Sequence, residues 1–486
     1  MRRLAIPLAA ALTIAGTLVV WNNSTPLPPP APGKTPLRVL VLPGALTYDT
    51  TETPTPSGLE YDLVELFAQE QGLTVEYVPS SPNSIHKKFD AAEVHLAAAW
   101  LTPGVLQGGR YSPPFLHTVD LLVQPDASLP IDEEADLAGR QLHVIAGSRQ
   151  AATAMALRER IPTLELVEHA GMLPFTLLQG VANGRHELAL VDQSFYDISL
   201  QFAPALQASL KFPPAQPIAW AFPERADPVL MAKVSAFLLG ITKDPVFAQI
   251  KDRYFGHVRR LRSEDITKLL ELSQTVLPKL KPYFLAAQIE TGFDWRLLAA
   301  LAYQESQWDA NATSPTGVRG IMMLTGETAD RLKVKNRLDP EESIRAGARY
   351  LDILRKQIPD STPEPDRTWQ AMAAYNIGPG HFNAARTIGR QRKADVDSWL
   401  EMKGVLPLLA RPEFYERLKS GRARGGEAVI LVENVRSFYD ILSRQEAPYR
   451  PLTPPKAAKP TKKKPKTGKA KPKAGNTGNS GVKKPG

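Results

Sequence analysis

The first half of the chain alternates short apolar runs with amphipathic stretches. RVLVL (38–42) and TVEYV (74–78) are β-branched runs typical of strands, and GLEYDLVELFAQEQGL (58–73) between them has apolar residues at helical spacing. The same alternation recurs in residues 136–161 and 177–202. Strands that alternate with helices predict an α/β domain with a mostly parallel sheet.

From about Glu264 onward the pattern predicts helices only. Stretches with helical apolar spacing lie at 266–290, 294–306, 340–358 and 368–378. No strand-rich segment is evident beyond Phe255. We therefore expect a multidomain chain in which an all-α domain follows the α/β domain.

The N-terminus has the pattern of an export segment. Met1-Arg2-Arg3 is followed by the apolar run 4–21, which is the order found in export signals, and its length is also at the lower limit for a membrane-spanning helix. A cleaved signal and an uncleaved anchor both remain open, and either one predicts export. The proline-rich stretch after it predicts a semi-rigid spacer that does not pack.

The net charge of +9 belongs to the other end of the chain. Residues 448–486 contain eleven lysines, Arg450 and no acidic residue, so that removing these twelve charges leaves about −3 (9 minus 12) for the remainder. This tail is predicted to be disordered, and no basic domain face for nucleic acid is expected. Because the chain contains no cysteine, disulfides and thiolate metal sites are excluded.

These patterns divide the chain into six segments. They are a signal or membrane anchor (1–23), a proline-rich linker (24–36), an α/β domain (37–257), a helical connector (258–280), an all-α domain (281–447) and a Lys/Pro-rich tail (448–486).

The strongest candidate for chemistry is a glutamate at the end of an apolar helix. Asp294 is the predicted N-cap, and Leu297, Leu301 and Glu305 then share one helical face. A glutamate in this place can simply meet solvent and pair with a base. Alternatively, apolar neighbours desolvate it and raise its pKa, so that it can donate a proton near neutral pH.

Two later stretches add the elements of a ligand site. NATSPTGVRG (311–320) has the composition of an ordered turn, in which Gly320 leaves room for close backbone approach to a ligand. In AAYNIGPG (373–380), Tyr375 and Asn376 stand where GPG ends a helix. An aromatic face and an amide are suited to binding a sugar.

Together these residues resemble the lysozyme-like domain of the soluble-lytic-transglycosylase type, over roughly residues 280–445. The resemblance implies that Glu305 is the catalytic residue. It assigns substrate contacts to Ser306, Ser314, Gly320, Met322, Met323, Tyr375 and Asn376, with Ser314 as the partner of Glu305.

Two positions depart from that family. Met323 stands where most members have a glutamine, and Leu431 stands where they usually have a tyrosine. Either Tyr415 or Tyr439 is left as a replacement for the missing tyrosine.

The resemblance implies cleavage of peptidoglycan by one carboxyl group, without a metal or a cofactor. Glu305 protonates the oxygen between MurNAc and GlcNAc and then takes the proton of the MurNAc C6 hydroxyl, which attacks C1 and leaves a 1,6-anhydro end. Asp309 is an obvious second carboxylate, but we expect it to cap the following turn. The eight histidines show no metal-binding spacing such as HExxH. The alternatives are a lysozyme-like hydrolase and a catalytically weak wall-binding or sensor protein.

The α/β domain resembles the two-lobed periplasmic solute-binding proteins of family 3. One lobe is expected from 37–125 and 223–257, and the other from 126–222. Ligands of such proteins bind between the lobes.

Three residues are candidate contacts for a regulatory ligand of this domain: Asp62, Arg110 and Asp192. Val105 stands where the family usually has an arginine for the ligand carboxylate, so Arg110 is a candidate substitute. Asp192 either meets a ligand amine or is a turn residue. We expect the ligand to be a muropeptide or another wall-derived peptide.

The order of the segments resembles that of a branch of membrane-bound lytic transglycosylases. This resemblance implies a place on the periplasmic side of the envelope, peripheral to the outer membrane, while an uncleaved inner-membrane anchor stays open. The expected partners are peptidoglycan glycan strands and a membrane contacted through the N-terminal segment, and no nucleic acid. The basic tail either aids solubility or adheres to anionic wall polymer or lipid.

Overall fold

The computed structural model of the chain describes residues 27–50, 56–91, 93–258 and 261–449. The predicted export segment 1–23 lies outside these residues, as does the predicted basic tail except for Pro448 and Tyr449. None of the described helices is both long and apolar enough to cross a bilayer.

The N-terminal domain is built on a mixed sheet. Its strands are β1 (Leu37–Val41), β2 (Val75–Pro79), β3 (Leu96–Leu101), β4 (Arg110–Tyr111), β5 (Leu116–Pro125), β6 (Gln141–Ile145), β7 (Glu165–His169), β8 (Leu188–Asp192) and β9 (Leu206–Phe222). Their order is β2-β1-β3-β9-β5-β8-β6-β7, with β4 also paired to β9.

The sheet is parallel at its two ends and antiparallel in its middle. β1 runs parallel to β2 and β3, and β6 runs parallel to β7 and β8. β5 and β9 run antiparallel to their neighbours, and β9 pairs with β5 before it reaches β3 and β4. The predicted α/β class is confirmed, but the sheet is mixed rather than mostly parallel because these two strands connect one lobe to the other.

Helices cover both groups of strands. They are α1 (Leu59–Gln71), α2 (Ile85–Asp90), α3 (Arg149–Arg160), α4 (Pro174–Ala182), α5 (Gln193–Ser199), α6 (Pro228–Ile241) and α7 (Pro245–Phe255). Leu59, Leu63 and Phe67 of α1 are fully buried, as their spacing predicts.

The described part of the C-terminal domain is helical. Its helices are α8 (Ser263–Thr275), α9 (Leu277–Thr291), α10 (Trp295–Ser306), α11 (Gly326–Arg331), α12 (Pro340–Gln357), α13 (Asp366–Ile377), α14 (Pro379–Gln391), α15 (Trp399–Val405), α16 (Pro412–Tyr415) and α17 (Gly425–Gln445). α10 lies at the centre, packed against α9 and α17, and every residue from Trp295 to Tyr303 is buried.

Two sequence expectations are corrected by local structure. The stretch 266–290 forms two helices, because α8 ends at Thr275 and α9 begins at Leu277 with Pro278 in its first turn, where a proline is tolerated. The linker does pack where it is described: a turn links Ala31 to Thr35, and the Pro28 carbonyl lies 3.0 Å from the His95 Nε2 atom. A spacer sequence can therefore be held by the domain that follows it.

The two domains meet at α7 through buried charges. Arg436 of α17 donates to the Asp252 carbonyl at 2.7 Å and to its carboxylate at 3.2 Å. Lys403 pairs with Asp252 and lies 3.3 Å from Glu433, which also pairs with Arg436 at 2.8 Å. Although burial acts to raise it, the positive charges of Arg436 and Lys403 hold the pKa of Glu433 below its usual range. These four charged groups satisfy one another across the interface.

Candidate active site and ligand cavity

The candidate catalytic glutamate lies in the last turn of α10. The helix begins as predicted, with the Asp294 carboxylate accepting the Arg296 N–H at 2.9 Å. It ends at Ser306, after which Gln307 and Trp308 adopt left-handed φ values of 53° and 63°. Glu305 therefore lies half-buried at the place where the apolar helix stops.

Burial raises the pKa of Glu305 from 4.5 to about 8. Among the described residues its carboxyl has no hydrogen bond and no ion pair. Its position near the negative end of the α10 dipole acts in the same direction. Burial raises the pKa of the nearby Tyr375 phenol, and a negative charge on Glu305 would raise it further. The raised pKa favours the protonated carboxyl near neutral pH.

Two hydroxyl groups attach the loop that follows α10 to the ends of α10 and α13. Ser306 donates to the Ile321 carbonyl at 2.8 Å, and Tyr375 donates to the next carbonyl, that of Met322, at 2.8 Å. The end of α10 and the end of α13 therefore bind consecutive peptide groups of one turn, and this arrangement brings Tyr375 beside Glu305.

Gly320 and Met322 serve packing rather than the ligand contacts that the sequence predicted. Gly320 has φ of 81°, and a Cβ atom there would lie 1.8 Å from the Arg337 carbonyl oxygen, so the close approach is to the chain itself. Met322 is fully buried, and a Cβ on Gly347 would lie 2.7 Å from its Cε atom. Met322 is a core residue and does not line a cleft.

The remaining predicted substrate contacts are at or near the surface. Met323 is half-buried with φ of 47°, and Asn376 is exposed at the end of α13. Ser314 is half-buried, and its hydroxyl lies 2.9 Å from that of Thr316 and accepts the Val318 N–H at 3.3 Å. The expected hydrogen bond between Ser314 and Glu305 is not present among the described contacts.

The predicted role of Asp309 is confirmed. Its carboxylate accepts the Asn311 N–H at 2.9 Å, which caps the turn after α10. Tyr439 does not replace the missing family tyrosine, because its hydroxyl donates to Asp294 at 3.1 Å. Asp294 lies at the opposite end of α10 from Glu305, about 16 Å away at 1.5 Å per residue.

A cavity of about 130 Å³ lies between the two lobes of the N-terminal domain. Trp100 and Val105 line it from one lobe, and Ser148, Arg149 and Asp192 line it from the other. Val105, at the position where an arginine was expected, is thus an apolar part of the lining. The volume is smaller than the few hundred Å³ of a typical ligand site.

The charges in this cavity come from the second lobe. Arg149 donates to Asp120 at 2.6 Å and to Asp192 at 3.2 Å. Asp192 also accepts from Thr118 at 2.7 Å and from the Ser194 N–H at 2.8 Å, and burial raises its pKa in spite of Arg149. Arg149 was not identified from the sequence. The signal that could have found it is its place as the first residue of α3, after a strand and the Ser148 N-cap, since helix N-termini bind negatively charged groups.

Of the three candidate ligand contacts, Asp192 lines the cavity, whereas Asp62 and Arg110 do not. Asp62 accepts from Arg253 at 2.6 Å and from Tyr254 at 3.0 Å, so it holds α7 against α1. Arg110 is exposed on β4, and neither it nor Asp62 is among the described residues that line the cavity.

Comparison with known proteins agrees with both domains. Residues 282–398 match the model of the transglycosylase SLT domain, and residues 37–257 match that of bacterial extracellular solute-binding proteins, family 3. The N-terminal domain also resembles a solved structure titled "An ancestral arginine-binding protein bound to arginine", with 18% identity over 45% of this chain and 97% of that chain and a TM-score of 0.41.

Several relatives match along most of the chain, and two of them serve as examples. The membrane-bound lytic murein transglycosylase F of Thiobacillus denitrificans is 39% identical over 432 residues, which are 88% of this chain and 92% of the relative. That of Methylobacillus flagellatus is 39% identical over 85% of this chain and 88% of the relative. The chain therefore belongs to the membrane-bound lytic murein transglycosylase F family.

Proposed function

We propose that this lytic transglycosylase cleaves the β-1,4 bond between MurNAc and GlcNAc by intramolecular attack, and that Glu305 serves as both acid and base. The observation that carries the proposal is a single desolvated carboxyl whose pKa is raised to about 8. A carboxyl with that pKa holds its proton at neutral pH and is ready to act as an acid.

In the first step, Glu305 donates its proton to the glycosidic oxygen. The bond between that oxygen and C1 of MurNAc breaks, and GlcNAc leaves with a hydroxyl group. C1 gains positive charge, which the new Glu305 carboxylate stabilises electrostatically.

In the second step, the C6 hydroxyl of the same MurNAc attacks C1 and gives up its proton to Glu305. A bond from O6 to C1 forms, the sugar becomes a 1,6-anhydro end, and the carboxyl returns to its protonated state. No water is consumed. The attack is intramolecular, so its rate depends on how the site holds the ring.

The surroundings of Glu305 favour this route over hydrolysis. Ordinary glycosidases use two carboxyl groups roughly 5 to 9.5 Å apart. Asp309, the nearest candidate in the sequence, is occupied in the turn after α10. No carboxylate among the described residues contributes to the raised pKa of Glu305.

Tyr375 and Ser306 are positioning residues in this proposal, because each anchors a carbonyl of the turn that follows the helix. Asn376 and Met323 remain the candidate contacts to substrate, since both reach the surface. Ser314 is a candidate contact to substrate rather than a partner of the free enzyme's Glu305.

Mass spectrometry of the soluble products tests the proposal. The full-length protein, its Glu305→Gln variant and a Glu416→Gln control would each be incubated with purified peptidoglycan; Glu416 is exposed in the same domain. We expect anhydro-muropeptides from the wild type and the control, and none from Glu305→Gln. Products heavier by one water would identify a hydrolase. Binding without products would identify a wall-binding protein.

We further propose that a wall-derived peptide bound between the lobes regulates the enzyme. Phe175 and Phe195 line the cavity and pack edge to face with centroids 5.5 Å apart. The Arg444 guanidinium, at the end of α17 in the catalytic domain, lies over Phe175 at 4.6 Å and over Phe202 at 4.4 Å. A change in the cavity lining therefore acts directly on a helix of the catalytic domain.

The same helix packs against the helix that carries the catalytic residue. Phe438 of α17 packs edge to face against Tyr303 of α10, with centroids 4.8 Å apart. Tyr303 is two residues from Glu305. Closure of the lobes on a ligand can thus shift the end of α10 through one rigid element.

Turnover measured with and without soluble muropeptides tests the regulation. We expect a change in rate for the wild type and for Arg422→Ala, an exposed control, and a loss of that change in Arg444→Ala with basal turnover retained. If muropeptides neither bind nor change turnover, the proposal fails. A response that survives in Arg444→Ala would place the coupling elsewhere.

We also propose that the protein acts on the periplasmic side of the envelope, held at a membrane through residues 1–23. The support is the sequence pattern of that segment and the words "membrane-bound" in the names of the relatives. Cell fractionation with and without residues 1–23 tests this, and recovery of both forms in the soluble fraction would contradict it.

A further inference from the structure

Three histidines from separate parts of the chain converge in the second lobe. His143 lies in the middle of β6, His169 ends β7, and His186 follows the turn after α4. One ring nitrogen from each lies within 4.8 Å of the other two. The ring centroids are 4.4 to 5.2 Å apart, and His143 Nδ1 lies 2.9 Å from His169 Nε2.

The sheet register explains why the first two meet. β6 and β7 pair in parallel with Ile145 opposite His169. His143 is two residues before Ile145 and shares its face of the sheet, so His143 and His169 point to the same face with an offset of two residues. His143 pairs with Ala189 of β8, whose side chain packs with those of α4. His186 lies over this face in the turn after α4, and its backbone N–H donates to the Gly180 carbonyl at 3.1 Å.

We propose that His143, His169 and His186 form a binding site for a divalent transition-metal ion of the zinc type. Imidazole nitrogens are preferred ligands of zinc, and three histidines with a fourth position for water make a known tetrahedral arrangement. Nitrogens that bind one zinc at about 2.0–2.1 Å lie about 3.3–3.4 Å apart. The present nitrogen separations reach 4.8 Å, so binding would require the rings to move closer together.

Two further features are those of a ligand set rather than of ordinary packing. The buried Nε2 of His143 and the buried Nδ1 of His186 have no hydrogen-bond partner in the described structure. A buried imidazole nitrogen without a partner is costly, and a metal ion would satisfy it.

The chain leaves space for the third ring at one glycine of α4. A Cβ on Gly180 would lie 2.0 Å from His186 Cδ2 and 2.5 Å from its Nε2 atom. Any larger residue at this position would push the ring out of the cluster. The neighbouring carboxylate of Glu187 accepts the Gln141 N–H at 2.7 Å and places a negative charge near His143.

The site is separate from the proposed chemistry of Glu305 and lies between β6, β7 and the turn that follows α4, the helix that begins beside the cavity residue Phe175. A bound ion would join β6, β7 and the end of α4, and so would hold one wall of the cavity. The alternative is a purely structural role, in which the three rings stack and form hydrogen bonds but bind no metal.

Metal titration of the tag-free, full-length protein distinguishes the two. After chelation and dialysis, Zn²⁺ would be added in competition with a chromophoric chelator, and Co²⁺ would be added separately to record its visible spectrum. We expect one ion per chain and the absorption bands of four-coordinate cobalt. His169→Gln and His186→Gln should each weaken binding at least about 100-fold, since even the loss of an outer hydrogen-bond partner costs about 10–100-fold.

Controls separate loss of the site from loss of the fold. His117→Gln changes an exposed histidine on β5 and should bind like the wild type. His169 and His186 are only half-buried, so their metal-free variants should melt close to the metal-free wild type. Gly180→Ala should weaken binding while it keeps all three histidines. The proposal is overturned if the wild type binds no zinc at micromolar concentration, or if the histidine variants bind it equally well.

Discussion

Replacing the Glu305 carboxyl, the proposed acid and base, by an amide should stabilise the protein, and the gain should grow with pH. Glu305→Gln keeps the shape of the side chain and removes its titration. In the folded wild type the pKa is raised to about 8, against 4.5 for an unperturbed glutamate. The folded state therefore binds the proton more tightly than the unfolded state, so the free energy of unfolding falls as pH rises from 4.5 toward 8.

The size of the effect follows from 1.36 kcal/mol per pKa unit. Integrated between the two pKa values, the wild type loses about 1 kcal/mol by pH 5, about 3 kcal/mol by pH 7 and about 5 kcal/mol by pH 9, relative to a side chain that does not titrate. These are upper limits, because water that reaches the half-buried carboxyl screens the charge.

Calorimetric melts of the full-length wild type, Glu305→Gln and Glu416→Gln at pH 5, 7 and 9 measure this difference. We expect the variant to melt near the wild type at pH 5 and several degrees higher at pH 7 and 9, in the transition of the catalytic domain. Glu416→Gln, at an exposed position, should follow the wild type throughout. A Glu305→Gln variant that gains nothing between pH 5 and pH 9 would refute a desolvated, protonated Glu305.

Three other substitutions test the framework of the site. Tyr375→Phe removes the hydrogen bond to the Met322 carbonyl and should lower the free energy of unfolding by about 1–3 kcal/mol, measured by urea denaturation. The turnover rate should also fall, and an unchanged rate would contradict a positioning role. Gly320→Ala places a Cβ 1.8 Å from the Arg337 carbonyl and should lower the melting temperature strongly, whereas a neutral result would contradict the packing. Arg436→Met leaves Lys403 as the one cation among the described residues that pairs with the Asp252 and Glu433 carboxylates, and should cost about 3–5 kcal/mol, measured by the same denaturation; a loss below about 1 kcal/mol would contradict the buried network.

Local pattern was enough to predict the order and class of both domains. Alternation in the first half and helical spacing in the second predicted an α/β domain followed by helices, and Asp294 was identified as the cap of α10. These features depend on residues within a few positions of one another, which is why a single sequence reveals them. The place of Glu305 at the end of an apolar helix belongs to the same kind of information.

Contacts between distant residues needed the tertiary structure. Met322 and Met323 are neighbours in a turn, yet one is core and the other reaches the surface, because Gly347 of another helix receives the first side chain. Arg149 in the cavity and Arg444, which packs on the cavity residue Phe175, were not identified from the sequence at all.

The histidine cluster has the same origin. Its members are 26 and 17 residues apart along the chain and match no metal-binding spacing, and only the parallel register of β6 and β7 and the turn after α4 bring their rings together. The spacing of apolar residues indicates which face of a helix or strand each residue occupies. Which other face it meets is decided by the packing of elements that are far apart in the sequence.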